Sequence, residues 1–233
     1  MVQQIFRLRG ITMYFQFLIE DSSTEILIRH VMEKLKKESS EEVFFDMKSF
    51  SGIGHLRTTG NLMERKGSNL LNNLHAYLRG FDRVLSKMEH AAIVVVLDND
   101  KRDTREFRAQ LESIASGAVM CTDYVFCIAV KEMEAWLLGD EGAIQTAYPD
   151  VKKRYLKEYQ HDGLCDTWET LANAVYPGGL QGLRKKARNK YSEIGKAKSE
   201  WAEKIGKEMN LDENKSPSFQ QLIFELRSRI SVA

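Results

Sequence analysis

The sequence predicts an α/β fold, in which a parallel sheet of about four strands with flanking helices precedes a mostly helical C-terminal region. The central observation is the stretch at residues 91–103, AAIVVVLDNDKRD, where an apolar run ends abruptly in Asp98 and Asp100. An apolar run without alternation is typical of a strand buried on both faces, as in a parallel sheet under helices. Similar runs alternate with helical stripes over residues 14–138, which is the pattern of right-handed crossovers.

Four apolar segments are predicted as strands, at residues 14–19, 43–48, 93–97 and 124–130. Apolar stripes predict helices over residues 26–35, 71–88, 104–116 and 131–138. Capping boxes are predicted at two helix starts, from Ser22 with Glu25 and from Asp103 with Glu106, while Ser68 can cap the second helix. The long glycine-containing loop at 49–67, with SGIGH and His55, is predicted to be a functional flap on the substrate side.

The character of the chain changes beyond Gly139, where helices and turns replace the strands. Helices are predicted at 143–160 with a break at Pro149, at 167–175, at 196–209, and after Ser216-Pro217. The sequence therefore predicts an N-terminal extension over 1–12, an α/β core over 13–140, and a helical region over 141–233 packed on that core.

Composition excludes several classes of protein. The 233 residues carry a net charge of +1 and contain no apolar run near the roughly 18 residues of a membrane span, so we expect no membrane association. The N-terminus lacks a signal-peptide cleavage pattern, and three cysteines without CxxC spacing predict reduced thiols in the cytoplasm. No nucleotide-binding glycine loop and no serine-hydrolase elbow is present, which argues against ATP hydrolysis, dinucleotide cofactors and serine hydrolases.

Acidic residues follow three of the four predicted strands. Glu20 follows the first, Asp98 and Asp100 the third, and Glu132 and Glu134 the fourth. Parallel strands bring their carboxyl ends to one edge, and hard cations such as Mg²⁺ or Mn²⁺ prefer oxygen ligands, so a metal site is predicted there. The alternative for the Asp98 and Asp100 pair is a polar strand end before a helix cap.

Three of the acids need separate consideration as ligands. Glu25 serves a capping box as well as it would serve a metal. Glu132 and Glu134 are two residues apart on a predicted helix and cannot share a face, so at most one is expected to face the site.

A Glu after the first strand and an Asp-x-Asp after a later strand resemble the Toprim domain, which topoisomerases, primases and nucleases of the overcoming-lysogenization-defect type share. Here the matching residues are Glu20, Asp98 and Asp100. Further segments, among them SGIGH, VVVLDNDKRD, KEMEAWLLGD, TWETLANAVYPGG and KSEWAEKIGKEM, make the chain similar to a bacterial Toprim-like family of unknown function. Members of that family are similar to proteins found in mobile or defence contexts.

The resemblance implies roles for named residues. Glu20 would be the proton-transfer or metal residue, and Asp98 and Asp100 would bind Mg²⁺. Glu134 or Glu132 would hold a second metal with Asp103 as an auxiliary, and Lys198 would stabilise the phosphate. The nuclease branch often has Glu-Gly-x-Thr-Glu after the first strand, whereas this chain has EDSSTE, which puts the ligand role of Glu25 in doubt.

The favoured hypothesis is therefore a Mg²⁺-dependent nuclease, with DNA preferred over RNA as substrate and a role in phage or mobile-element defence. Residues 151–207 carry 13 Lys or Arg against 7 Asp or Glu, which is compatible with a polyanionic substrate. A basic run within them would hold the nucleic-acid backbone, or would simply be a solvated helix face: Arg184, Lys185, Lys186, Arg188 and Lys190.

Two other hypotheses stay open. The chain could be a non-catalytic or conditionally active partner of an ATPase, or a small phosphatase with an Asp-x-Asp nucleophile. The oligomeric state is not determined by the sequence, and a homo-oligomer is compatible with it.

Overall fold

A four-stranded, all-parallel sheet forms the centre of the protein, with strand order β2-β1-β3-β4. The structure, a computed structural model, describes residues 12–51, 69–163, 166–188 and 190–232. The strands are β1 (Thr12–Ile19), β2 (Glu42–Ser49), β3 (Ala91–Asp98) and β4 (Asp123–Ala129). The predicted α/β class with a parallel sheet of four strands is confirmed.

Burial on both faces explains the composition of β3. Because β3 lies between β1 and β4, all eight of its residues are buried and they alternate between two cores. In the register of the sheet, Ile19 pairs with Val96, and Asp98 pairs with Ala129. The carboxyl ends of β1, β3 and β4 therefore lie side by side, which positions the acids that follow them.

Helices cover the two faces of the sheet. Helix α1 (Ser22–Glu38) packs on one face, and α2 (Leu70–Leu85) and α3 (Thr104–Ala118) pack on the other. The remaining helices join α1 on its face: α4 (Glu134–Leu138), α5 (Glu141–Ala147), α6 (Lys153–Lys157), α7 (Thr167–Val175), α8 (Gly179–Ala187), α9 (Tyr191–Glu208) and α10 (Pro217–Val232). Trp136, Trp201 and Phe219 are fully buried in this one hydrophobic core.

Two local predictions were wrong. The first helix is capped by Asp21, whose Oδ1 accepts hydrogen bonds from the Ser23 and Thr24 amides at 2.7 and 2.9 Å, so Ser22 and Glu25 form no capping box. The helix predicted to follow β4 directly begins only at Glu134, because Lys131 has a left-handed φ of 78° and turns the chain first.

Several predicted features lie outside the described residues. These are residues 1–11 of the predicted extension, most of the SGIGH loop with His55, Ser68 and Cys165. The other two cysteines, Cys121 and Cys127, are free thiols. In the described ranges, no helix has the length and apolar character needed to cross a membrane.

Asn214, in the loop before α10, fastens the C-terminal region to α4. Its Nδ2 donates to the carbonyl oxygen of Trp136 at 2.7 Å, and its Oδ1 accepts from the Ser216 amide at 2.9 Å. The side chain passes so close to Gly139 that a Cβ built there would lie 2.0 Å from Asn214 Oδ1. Glycine at 139 is therefore a steric requirement of this connection.

We predict that Gly139→Ala lowers the free energy of unfolding by about 1–3 kcal/mol, because Asn214 must move and lose its hydrogen bonds. Urea denaturation measures the effect. The matched control is Gly80→Ala in α2, where a new Cβ would contact nothing within 4 Å and helix propensity predicts a gain of up to about 1 kcal/mol. Equal stability of Gly139→Ala and the wild type would contradict the proposed connection.

Candidate functional site

Two carboxylates meet where β1 and β3 end. The backbone amide of Asp98 donates a hydrogen bond to Glu20 Oε2 at 2.9 Å, and the Glu20 amide donates to the carbonyl oxygen of Val96 at 3.1 Å. Both acids are buried, with 9% and 7% of their surfaces exposed. Within the described ranges, no Lys, Arg or His nitrogen lies within 4 Å of the Asp98 carboxylate.

A third carboxylate, that of Glu134, belongs to the same cluster. It comes from the start of α4 and is fully buried. Its Oε2 accepts a hydrogen bond from Lys198 Nζ at 3.1 Å, and its Oε1 has no hydrogen-bond partner among the described residues. Lys198 belongs to α9 and also lies 3.7 Å from Glu132 Oε1. The ammonium group of Lys198 therefore lies between the carboxylates of Glu132 and Glu134.

Burial shifts the protonation of these groups. It raises the pKa of Glu20 to about 7, although the Asp98 amide opposes the shift, and it raises the pKa of Glu134 to about 7, although Lys198 opposes it. Burial and the neighbouring Glu20 hold the pKa of Asp98 well above its usual range. For Lys198, burial lowers the pKa, but Glu134, Glu132 and Asp98 together raise it, so this side chain stays charged.

The two aspartates of the Asp-x-Asp pair lie in different environments, because the backbone turns at Asp100. Asp100 has a left-handed φ of 50°, is half exposed, and its Oδ2 lies 3.0 Å from Arg102 Nη1. It still contributes to the raised pKa of Glu20 through its charge. Asp103, the predicted auxiliary ligand, is the N-cap of α3, and its Oδ1 accepts from the Arg105 and Glu106 amides at 2.9 Å each.

Glu132 lies before α4 and not on it, so the prediction that Glu132 and Glu134 cannot face the same site was wrong. Both carboxylates approach Lys198. The second oxygen of Glu132 accepts hydrogen bonds from Thr167 Oγ1 at 2.5 Å and from the Trp168 amide at 3.4 Å. Glu132 therefore supplies the carboxylate at the N-terminus of α7, where the cap residue makes no side-chain hydrogen bond of its own.

Glu25, a further predicted ligand, has both carboxylate oxygens engaged elsewhere. Its Oε2 accepts from Ser49 Oγ at 2.5 Å, and its Oε1 accepts from Arg29 Nη2 at 2.7 Å. These contacts join the first turn of α1 to the end of β2. We therefore leave Glu25 out of the candidate site.

The predicted basic run forms α8 and the turn after it. Arg184 lies 3.7 Å from Glu169 and stacks over the Trp168 ring, with 5.9 Å from guanidinium carbon to ring centroid. Lys186 lies 3.9 Å from Glu193. All five basic side chains are exposed: Arg184, Lys185, Lys186, Arg188 and Lys190. Glu132 accepts hydrogen bonds from Thr167 and Trp168 at the start of α7. Through its stacking on Trp168, Arg184 therefore lies near the acidic cluster.

Comparison with known proteins adds a family to this geometry. The model of a family described as a domain of unknown function, DUF4276, matches residues 1–227. The chain belongs to the DUF4276 family. Neither a curated protein nor a solved structure matches it. Since the DUF4276 description states no activity, the resemblance to Toprim domains stays a prediction.

Sequence reasoning missed two residues that shape this DUF4276 site. Asn99 is buried, and its Oδ1 accepts from the Lys131 amide at 2.6 Å while its Nδ2 donates to Thr104 Oγ1 at 2.6 Å. It thus joins the loops after β3 and β4. Asp21 caps α1, and its charge contributes to the raised pKa values of Glu20, Asp98 and Glu134. The signal for Asp21 was its place directly after Glu20, before a run of serines.

The donor chemistry of the cluster suits a hard cation. Glu20, Asp98 and Glu134 supply only oxygen, and Mg²⁺ commonly takes one or two carboxylates, with water and substrate phosphates in the other positions. In the described part of the chain, however, no three His, Cys, Asp or Glu side chains are already arranged to hold a metal ion. The residues fit the ion by chemistry, and the side chains would have to adjust to bind it.

We predict that Glu20→Gln stabilises the protein at about pH 8, by up to about 3 kcal/mol, and changes little below about pH 4.5. Because folding raises the pKa of Glu20 from 4.5 to about 7, the folded state binds more protons than the unfolded state between about pH 4.5 and pH 7. Stability contributed by this group is therefore lost as the pH rises through 7. Glutamine keeps an oxygen acceptor for the Asp98 amide and removes the charge.

Thermal unfolding at several pH values measures this effect. Glu25→Gln is the matched control, since its carboxylate lies in a partly exposed ion pair and is worth less than about 1 kcal/mol. A pH-independent change for Glu20→Gln would contradict the raised pKa.

Proposed function

We propose that this DUF4276 protein is a Mg²⁺- or Mn²⁺-dependent phosphodiesterase that cleaves nucleic acid. The observation that supports it best is the Glu134 carboxylate, which is fully buried and has one oxygen without a hydrogen-bond partner among the described residues. An unpaired buried carboxylate oxygen is costly, and a cation binding there removes the cost. Lys198 already contacts the other oxygen, so the free oxygen is available to a metal ion.

The charge balance supports the same proposal. The ammonium group of Lys198 lies 3.1 Å from Glu134 and 3.7 Å from Glu132, and the charge of Asp98 also acts on it, while Glu20 adjoins Asp98. At neutral pH without metal, the raised pKa values of Glu20, Asp98 and Glu134 mean that protons offset part of this charge. A divalent cation competes with those protons, because metal ligands bind in their deprotonated form.

Each side chain then has a defined task in hydrolysis. Asp98 and Glu134 supply oxygen ligands, and a bound divalent ion would polarise the phosphoryl group and lower the pKa of water. Glu20, with a pKa near 7, takes a proton from the attacking water at neutral pH. Lys198 stabilises the negative charge that develops on phosphate oxygens as the phosphorus–oxygen bond to the leaving group breaks.

Lys198 also bears on how many metal ions take part. The resemblance implies a second metal at Glu134 or Glu132, and the Lys198 ammonium lies 3.1 Å and 3.7 Å from these two carboxylates. We propose that the lysine serves as the second positive charge beside one metal ion at Asp98 and Glu134, with Glu20 as the base. The exposed basic residues of α8 would hold the backbone of the nucleic acid, with DNA favoured over RNA.

One observation favours a second candidate, a conditionally active partner of an ATPase. No three metal-ligating side chains of the described ranges are in position, so a partner that shifts α9 or α4 could complete the site. In that case the isolated protein would bind metal weakly and cleave nothing.

We predict that the purified protein cleaves DNA with Mg²⁺ or Mn²⁺ and that Asp98→Asn lowers the rate at least about 100-fold, because a metal ligand is lost. Plasmid DNA, single-stranded DNA and labelled RNA, with metal or EDTA, measure the activity and the substrate class. Asp150→Asn, at an exposed position, is the matched control. Absence of cleavage by folded wild-type protein under all conditions would contradict the nuclease proposal and favour the ATPase-partner candidate.

Metal binding itself gives a prediction that does not depend on cleavage. Because protons and metal compete for Asp98 and Glu134, Mg²⁺ or Mn²⁺ affinity should rise about tenfold per pH unit between about pH 6 and pH 7 for each proton displaced. Calorimetry in buffers of different ionisation enthalpy counts the protons released. Affinity that does not vary with pH would show that these carboxylates are not ligands.

A further inference from the structure

A groove with a volume of about 600 Å³ lies beside the acidic cluster, between the start of α1 and the first half of α9. Its wall on the α1 side includes Ser22 and Ser23, and its wall on the α9 side includes Gly195, Lys196, Lys198 and Ser199. None of the functions assigned above uses this groove, apart from the Lys198 side chain that it shares with the site.

Two of the residues that line the groove connect it with the carboxylates. Lys198 lines it and contacts Glu134 with the same ammonium group. Asp21 also lines it, directly after Glu20 in the chain, and its charge acts on Asp98 and Glu134. The groove therefore lies next to the cluster, where it can receive the adjoining part of a chain molecule whose phosphate is attacked there.

The lining offers donors for phosphate oxygens beside the Asp21 carboxylate. The ammonium group of Lys196 and the hydroxyl groups of Ser22 and Ser199 are donors of the kind that hold phosphate oxygens. Lys196 contacts Glu193 at 2.7 Å, but its side chain is 73% exposed and such surface pairs are weak, so it can turn to another anion. Asp21 already accepts hydrogen bonds from the Ser23 and Thr24 amides, so these amides at the start of α1 are not free to bind phosphate. The lysines and hydroxyl groups therefore supply the attraction for phosphate.

Gly195 keeps the groove open. A Cβ at this position would contact nothing within 4 Å, so no protein neighbour requires glycine there, although glycine weakens a helix. Gly206 in the same helix differs, because its Cβ would lie 3.1 Å from Leu27 and 3.2 Å from His30. The space above Gly195 is therefore groove, whereas the space above Gly206 is filled by α1.

We infer that this groove binds the phosphate next to the one that is cleaved, on a single-stranded nucleic acid. The inference rests on the proposed function and adds to it the place and strandedness of the substrate. A volume of about 600 Å³ falls within the range of small-ligand sites, which suits a nucleotide-sized part of one strand rather than a duplex. The acidic end takes the reacting phosphate, and the Lys196 end takes its neighbour.

Binding of short labelled strands in EDTA, where metal-dependent chemistry is absent, tests the inference. Fluorescence anisotropy with oligothymidylate and oligouridylate separates DNA from RNA, and excess inorganic phosphate serves as a competitor. Lys196→Gln should weaken binding about 3- to 10-fold and reduce the slope of log affinity against log salt by about 0.7, the value for one phosphate contact on a single strand. Lys204→Gln, on the same helix outside the groove, is the matched control and should change neither.

Filling the groove gives an independent test. Gly195→Leu places a side chain in open space and should lower strand affinity more than tenfold while leaving the thermal midpoint at or above that of the wild type. Gly80→Leu, at an equally open helical position in α2, is the control.

If Lys196→Gln and Gly195→Leu bind strands with wild-type affinity, the groove is not the binding site. Absence of strand binding by the wild type would also overturn the inference. Tighter binding of duplex than of single strand would overturn the assigned strandedness. These outcomes are separate from the proposed function, which fails if strands bind in the groove and no metal ion produces cleavage. In that event the groove is a strand-binding site and not a neighbour of a cleaved phosphate.

Discussion

The hydrogen bond from the Asp98 amide to the Glu20 carboxylate joins the ends of two neighbouring strands, and the arrangement of the site depends on it. It exists because β1 and β3 are parallel and adjacent, so that Glu20 and Asp98 leave the sheet at the same edge. The hydrogen bond also holds the Glu20 carboxylate in a buried position, where its charged form is disfavoured. The meeting of two buried carboxylates at one edge of the sheet, and the proposed need for a cation beside them, follow from this constraint.

The sheet could be predicted from the sequence because β3 is buried on both faces and its apolar run ends in acids. The third helix could be predicted from Asp103, a residue type that caps helices well. The start of α4 could not, since the helical stripe of residues 131–138 gives no sign of the left-handed turn at Lys131. Asp21 replaced Ser22 as the cap of α1 because two equally good cap residues stand side by side.

The candidate site was predictable only in part. Glu20 and Asp98 are fixed by strand ends, so their meeting follows from topology. The contact between Glu134 and Lys198 joins residues far apart in the chain and depends on how α9 packs, which no local pattern encodes. The same holds for Glu132, whose place before α4 lets it contact both Lys198 and α7. The separate positions of Asp98 and Asp100 depend on one backbone angle at Asp100.

The origin of Lys198 in α9 has a consequence for synthesis of the protein. Ribosomes deliver β1, β3 and α4 first, so Glu20, Asp98 and Glu134 are present well before the helix that carries their ammonium partner. A nascent chain thus holds an electrostatically incomplete acidic edge until α9 has emerged. If the protein is a nuclease, its chemistry beside the messenger that encodes it begins only after α9 has been synthesised and has packed on the sheet.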